Sequence, residues 1–263
     1  MSGQRGEKAF VPVLPRLEVA GVDAWMVRLF DRIDEANMPW ITALLRRCEA
    51  AFGEALVDLV PSYTTLLVHY DPWRLTPGEA RSRLGAVLAD LEPDEEGGLG
   101  EGASGNVKEL EVWYDDSVGP ELALLQQESG LSREAVIEAH SGHEYRVFAL
   151  GFAPGFAFMG SLPDELVLPR LDTPRKRVPA GSVAVANRQT SAYPRVSPGG
   201  WNLIGRTSAR LFDRDREGFS LLRVGDRVRF VAVDRDRFEA AGGDTSPVEE
   251  PDSKGKTSNG KSA

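Results

Sequence analysis

The sequence predicts an α+β protein in two parts: a small two-layer α+β domain over residues 14–92, then a domain of β-barrel or sandwich type over 107–243. Three observations carry this reading. Up to residue 92 the apolar runs follow the order β-β-α-β-β-α, the pattern of a sheet covered by helices. Residues 93–106 are rich in glycine and acid, which suits a solvated connector. From Tyr145 to Val233 the chain becomes short apolar runs broken every few residues by glycine or proline, the texture of a barrel or sandwich with functional loops.

The elements follow in order. RLEVAGVDAWMVRLF alternates as one or two strands, and MPWITALLRRCEAAFG spaces its apolar residues for a helix that stops at Gly53. ALVDLVPSYTTLLVHYDPW supplies two β-rich runs, parted at Pro61-Ser62 and closed by Asp71-Pro72. TPGEARSRLGAVLADLE is a helix with Thr76 as N-cap, Pro77 at its first position and Glu79 three residues after the cap. Beyond the connector VKELEVWY reads as a strand, and VGPELALLQQESGLSREAVIEAH as two short helices, the second capped by Ser132. YRVFALGF, LVLPRL, GSVAVA, NLIGRT and FSLLRVGDRVRFVAV are the β runs of the second domain, the last turning at Gly225-Asp226. Residues 244–263, DTSPVEEPDSKGKTSNGKSA, are too polar to build a core and are expected to be disordered.

Composition narrows the function. Cys48 is the only cysteine, so an internal disulfide is excluded; with His69, His140 and His143 it makes a poor zinc set, and no protein-bound metal is expected. Cys48 occupies a helix-type apolar position and reads as a small core residue rather than a nucleophile. No run approaches the roughly 18 apolar residues of a membrane span, and the first residues lack a signal-peptide core, so the expected location is the cytoplasm, away from membranes. A net charge of −9 argues against nucleic-acid binding through a basic surface.

Two motif fragments are decoys. Gly100, Gly102 and Gly105 match G-x-G-x-x-G but follow an acidic connector and precede a strand, where a dinucleotide site needs a helix N-terminus. Gly255-Lys256-Thr257 ends like a P-loop, yet Glu250 stands where the first glycine must be. The informative charge lies between residues 166 and 210, where Arg170, Arg175, Lys176, Arg177, Arg188, Arg195, Arg206 and Arg210 face a single acid, Asp172. Any one of these arginines could simply decorate a solvent face; their coincidence with the Gly/Pro loops favours a site for phosphate or carboxylate, held by guanidinium forks.

HSGHEYRVFALGFAPGFAFMGSLP and PRLDTPRKRVPAGSVAVANRQTSAYPRVSPGGWNLIGRT, with VPSYTTLLVHYDP upstream, resemble the 5-oxoprolinase B-subunit family, also called allophanate hydrolase subunit 1. That family includes KipI-type sporulation kinase inhibitors and one half of the carboxyltransferase-like domain of urea carboxylase. The resemblance spans about residues 17 to 234. It implies a cyclophilin-like β-barrel after the α+β domain, and one subunit of an ATP-dependent hydrolase that opens 5-oxo-L-proline to L-glutamate. ATP, with magnesium, would be the co-substrate. Two partners are implied: a second carboxyltransferase-like subunit, of the KipA or 5-oxoprolinase C-subunit type, and a LamB/YcsF-type A-subunit. The chain is expected to be inactive alone. The alternatives are a KipI-type inhibitor of a sensor histidine kinase, or one subunit of an allophanate or urea amidolyase-like system.

The same resemblance nominates residues. His140 matches the family's histidine before the barrel, either a general acid/base or a helix-end histidine that satisfies a carbonyl. Gly151, Pro154 and Gly155 match G-F-x-P-G-F, where glycines let backbone amides approach a ligand. Arg170 and Arg175 match two P-R pairs and are the first choices for anion contacts. Gln189, Thr190 and Tyr193 match Q-T-x-x-Y-P; Gln189 and Tyr193 join His140 as candidate catalytic groups and Thr190 as a binding group. Ser197, Gly199 and Gly200 belong to S-P-G-G-W, expected to form one wall of a ligand cleft, with glycines that permit positive φ and let the backbone bend close to a ligand, Trp201 as anchor and Arg206 projecting beside the loop or held in an internal salt bridge. Five positions depart from the family pattern: Asp115-Asp116 in place of two glycines after Tyr114, Asn187 and Ser191 in place of glycines, and Phe158 in place of a tyrosine.

Overall fold

The computed structural model describes residues 15–94 and 107–249. The connector glycines and the Gly255-Lys256-Thr257 fragment lie outside the described residues. Contacts divide the chain into two compact units. The first takes residues 15–94 together with Arg146–Leu150 and Arg223–Arg227; the second takes Val107–Tyr145, Gly151–Leu222 and the chain from Val228 onward. Two short pieces inside the expected block over 107–243 cluster by contacts with the first unit.

The first unit is a four-stranded antiparallel sheet, β1 (Arg16–Val19), β2 (Ala24–Arg28), β3 (Leu56–Pro61) and β4 (Thr65–Tyr70), in the order β1-β2-β4-β3. Alternation along β4 buries Leu66, Val68 and Tyr70. Against that face pack α1 (Met38–Phe52), through Ile41, Leu44 and Cys48, and α2 (Pro77–Ala89), through Ala80 and Leu84. Helix α1 stops where Gly53 adopts φ 51°, and α2 starts on a capping box in which the Thr76 side chain accepts from the Glu79 N–H and Glu79 accepts from the Thr76 N–H.

The strands after residue 107 decide between barrel and sandwich in favour of a closed barrel. Its strands are β5 (Lys108–Trp113), β6 (Glu144–Leu150), β7 (Ala157–Gly160), β9 (Ser182–Ala186), β10 (Gln189–Ala192), β12 (Asn202–Thr207) and β13 (Arg227–Val233), closed in the order β10-β7-β6-β13-β5-β12-β9. Closure removes the open sheet edges that would otherwise template aggregation. Helices α3 (Leu122–Ser129), α4 (Arg133–Ser141) and α5 (Arg235–Ala240) accompany it, and β8 (Arg175–Val178) pairs with β11 (Ser197–Gly199) as a separate ribbon. No helix among the described residues is long and apolar enough to cross a membrane.

Strand alternation positions the site. Ala184 and Ala186 of β9 pair with Ser191 and Gln189 of β10, which puts Gln189, Ser191 and then Tyr193 on one face and Thr190 on the other. On β12 a register shift between Leu203 and Gly205 returns Arg206 to the face that Leu203 occupies. On this face Phe156, Val178, Ala184, Ala186, Tyr193, Trp201, Leu203 and Val248 form one apolar cluster, and Val178 ties the β8–β11 ribbon to it.

Val248 overturns the expectation that the chain is disordered from residue 244. It is 9% exposed within that cluster, and its N–H donates to the Ser117 carbonyl at 2.7 Å. Upstream, the carbonyls of Asp244 and Ser246 each accept from Arg206 Nη1 at 2.7 Å. Composition hides this, because the anchors are one valine and two main-chain carbonyls in a polar stretch. Residues 250–263 lie outside the described residues.

Candidate functional site

The β8–β11 ribbon sets Gly199 opposite Arg175 and Ser197 opposite Val178, and the Leu171 N–H donates to the Gly200 carbonyl at 2.8 Å. Gly199 is required by proximity: a Cβ there would stand 2.2 Å from the Tyr193 hydroxyl. A Cβ on Gly200 would meet Pro174 at 3.5 Å, an ordinary contact. Neither glycine uses the positive φ that it permits. In the 151–156 loop Gly155 (82°) and Phe152 (67°) have positive φ.

Tyr193 is buried beneath the ribbon. Burial pushes its hydroxyl up to about 12, partly offset by the Trp201 backbone hydrogen bond and the charges of Arg170 and Arg175, so it is a neutral phenol at pH 7. Trp201, 4% exposed, meets Phe156 edge to face at 5.7 Å and Phe158 at 6.0 Å. The Arg170 guanidinium carbon lies 5.8 Å from the Trp201 ring centroid. Arg170 is exposed and forms no ion pair among the described residues. An aromatic platform therefore holds a planar cation whose donors remain open to solvent, an arrangement suited to carboxylate or phosphate.

Arg175 is buried and bonded through Nη2 to Glu121 Oε1, while Glu121 Oε2 accepts from the Leu203 N–H at 2.8 Å. Among the described residues Arg175 Nε and Nη1 and Ser197 Oγ have no hydrogen-bond partner. Phe152, 61% exposed, leans edge to face on Phe156 at 5.2 Å and on Tyr193 at 6.3 Å. Phe152 is thus a large exposed residue held at positive φ, a costly backbone conformation. The structure thus brings together Arg170, Arg175, Tyr193, Ser197, Gly199, Gly200 and the loop that carries Gly151, Pro154 and Gly155. Gln189 is half-buried on the same face, at the other end of β10 from Tyr193.

His140 and Thr190 are placed elsewhere. His140 is fully buried in the last turn of α4, with Nδ1 2.7 Å from Tyr114 Oη and Nε2 2.9 Å from Thr190 Oγ1. Thr190 donates to the Ala184 carbonyl at 3.2 Å, so its oxygen accepts from Nε2–H, and Tyr114 donates to Nδ1. The ring stacks on Phe230 at 4.6 Å between centroids. Burial lowers its pKa to about 3, and both nitrogens are engaged, so His140 is neutral at pH 7. The reason for this placement lies in strand alternation, which points Thr190 away from Tyr193. Arg206 shares Tyr193's face but ends under residues 244–249, at the far end of β12 from Trp201, and does not project beside the 197–201 loop.

The departures from the family pattern are accommodated locally. Asn187 adopts φ 51°, Ser191 Oγ donates to the Ala157 carbonyl at 2.7 Å, and Phe158 packs on Phe156 and Trp201. Asp115 Oδ1 accepts from the Ser117 N–H and hydroxyl, and Asp116 pairs with Arg133 at 2.9 Å. Glu121 is the residue that sequence reading missed. The acid that neutralises Arg175 lies 54 residues upstream, outside the basic segment, and no local spacing announces it. Among the described residues no group of three or more His, Cys, Asp or Glu could hold a metal ion.

Residues 15–222 match the family described as carboxyltransferase domain, subdomain C and D. The B-subunit of 5-oxoprolinase from Bacillus subtilis (strain 168) is 34% identical over 239 residues, which is 86% of this chain and 95% of that protein. The crystal structure of TTHA0988 superposes with a TM-score of 0.68 at 39% identity over 80% of this chain, which spans only 40% of that one. The urea carboxylase of Kluyveromyces lactis shares the fold at a TM-score of 0.65 and 17% identity, over 86% of this chain and 22% of that one. The barrel is of the cyclophilin-like type. The chain belongs to the 5-oxoprolinase B-subunit family.

Proposed function

We propose that the chain is one subunit of an ATP-dependent 5-oxoprolinase that hydrolyses 5-oxo-L-proline to L-glutamate. It works with a second carboxyltransferase-like subunit of the KipA type and with a LamB/YcsF-type subunit. The observation that carries this reading is the likeness to the Bacillus subtilis 5-oxoprolinase B-subunit along nearly the whole of that protein. The chain's coverage of only 40% of TTHA0988 supports a larger working assembly.

The chemistry fits the site. A lactam is an unreactive amide; phosphorylation of its oxygen by ATP creates a leaving group and a more electrophilic carbon for water, with negative charge to be held as it develops. The substrate itself also carries a carboxylate. Arg170, fixed on Trp201, binds the anionic group bidentately; the neutral Tyr193 phenol supports the Gly199 ribbon from below, and the 151–156 loop brings its backbone and Phe152 to the same place. The test is co-expression with KipA-type and LamB/YcsF-type subunits. The reading expects the three to co-purify and to release glutamate from 5-oxoproline only together; a chain that neither recruits the KipA-type partner nor supports glutamate release refutes it.

A further inference from the structure

The backbone on either side of Arg170 is tied down by residues 200–202. Between Leu168, bridged to Asn187, and Arg175, where β8 begins, residues 169–174 belong to no helix or strand and are largely exposed. A segment of this kind has no ladder of its own to hold it. Three consecutive residues of it instead meet three consecutive residues of the other stretch in antiparallel order. The Leu171 N–H donates to the Gly200 carbonyl at 2.8 Å, the Arg170 guanidinium carbon lies 5.8 Å from the Trp201 ring centroid, and the Pro169 carbonyl accepts from Asn202 Nδ2 at 2.8 Å.

Asn202 is 1% exposed in β12, opposite Val185 of β9. Its Nδ2 donates a second bond, to the Val185 carbonyl at 3.2 Å, so one amide nitrogen spends both hydrogens on a bridge from the barrel wall to the exposed segment. Side chains of similar size cannot make that bridge: ionised aspartate and leucine have no donor, and serine has a single O–H. Without it Pro169 is released, and the guanidinium is no longer held over Trp201 from its N-terminal side. We propose that Asn202 is a positioning residue of the anion site, acting through Arg170 by pinning the Pro169 carbonyl to β12 and so fixing the guanidinium over Trp201. The inference rests on the anion-binding role given to Arg170 in the proposed function, while the placement itself is measured without any substrate.

Two measurements test it. Hydrogen exchange, read by heteronuclear NMR on the full chain without partner subunits, follows the Leu171 amide in wild type, Asn202→Ala and Asn202→Ser. Exchange there should be faster by about tenfold or more in both variants, while the amides of β9 and β12 keep their protection. Unchanged exchange at Leu171 overturns the proposal. So does loss of protection throughout β9 and β12 in both variants, which makes Asn202 a general support of the barrel. A double-mutant cycle in the assembled complex reads the consequence for binding. Asn202→Ala should raise KM for the substrate that Arg170 binds by about fivefold or more, with kcat within about twofold, and should raise it no further in an Arg170→Ala background. The same rise in both backgrounds, or none in either, overturns the proposal and leaves the Arg170 site standing. An Arg170→Ala assembly with unchanged kinetics refutes the Arg170 site itself, and the inference falls with it; the exchange result tells the two failures apart.

Discussion

Removing residues 244–249 should take away a large part of the second unit's stability, although their composition marks them as dispensable. Two chains decide the matter: one ending at Gly243, and one ending at Glu249 that keeps the strap. The shorter chain exposes the cluster position filled by Val248, a side chain whose full burial is worth about 1.5–3 kcal/mol. It also removes both carbonyls bonded to Arg206 Nη1, each a hydrogen bond to a charged group worth about 1.5–3 kcal/mol. Water that reaches the uncovered guanidinium offsets part of the second loss, so about 4 kcal/mol is the expected net cost, against a total stability of about 5–15 kcal/mol for a domain. At about 2–4 °C per kcal/mol for a chain of this size, the Tm should fall by about 8–16 °C. Circular-dichroism melts of the two chains measure it. A shorter chain that melts within about 2 °C of the longer one would refute the role given to Val248 and the two carbonyls.

Four further outcomes are expected. Gly199→Ala should lower stability by about 1–3 kcal/mol, because its Cβ overlaps the Tyr193 hydroxyl, whereas Gly200→Ala should stay within about 0.5 kcal/mol; urea denaturation of both variants compares them. Trp201→Ala should cost about 3–5 kcal/mol and release Arg170 from its platform, read as a lower Tm together with weaker substrate binding in the reconstituted complex. His140 has a folded pKa depressed to about 3 from the usual 6.5, so the unfolded chain takes up a proton that the folded one refuses. Its contribution is full above about pH 6.5 and is lost as pH falls toward about 3, by up to about 1.4 kcal/mol per pH unit, and His140→Gln should flatten that slope in chemical denaturation at about pH 7, 6, 5 and 4. Cys48 is buried, with its thiol pushed up to about 12 by desolvation, so a thiol reagent should label it only after denaturant is added.

The local elements were legible in the sequence because their signals are local. Thr76 and Glu79 mark the start of α2, Gly53 the end of α1, and Gly225-Asp226 the turn into β13. The face on which each side chain stands was legible in principle: Gln189, Thr190 and Tyr193 adjoin in sequence, but a two-residue period sends Thr190 to His140 and Tyr193 to the ribbon. What stayed hidden depends on long-range pairing. Glu121 reaches Arg175 across 54 residues, a register shift near Leu203 turns Arg206, and main-chain carbonyls in a polar strap hold its guanidinium. Gly199 and Gly200 look alike in S-P-G-G-W, and only the position of the Tyr193 hydroxyl separates the essential glycine from the tolerant one.

Whether this chain supplies the anion site of a 5-oxoprolinase through Arg170 on Trp201 is tested most directly by one titration. Wild-type and Arg170→Ala chains are each assembled with the KipA-type and LamB/YcsF-type subunits, and glutamate release is followed against 5-oxoproline and ATP concentration. Both assemblies should form and melt alike, because Arg170 is exposed, while kcat/KM for one of the two substrates falls by about tenfold or more in the variant. An Arg170→Ala assembly with unchanged kcat/KM for both substrates would contradict the role given to Arg170.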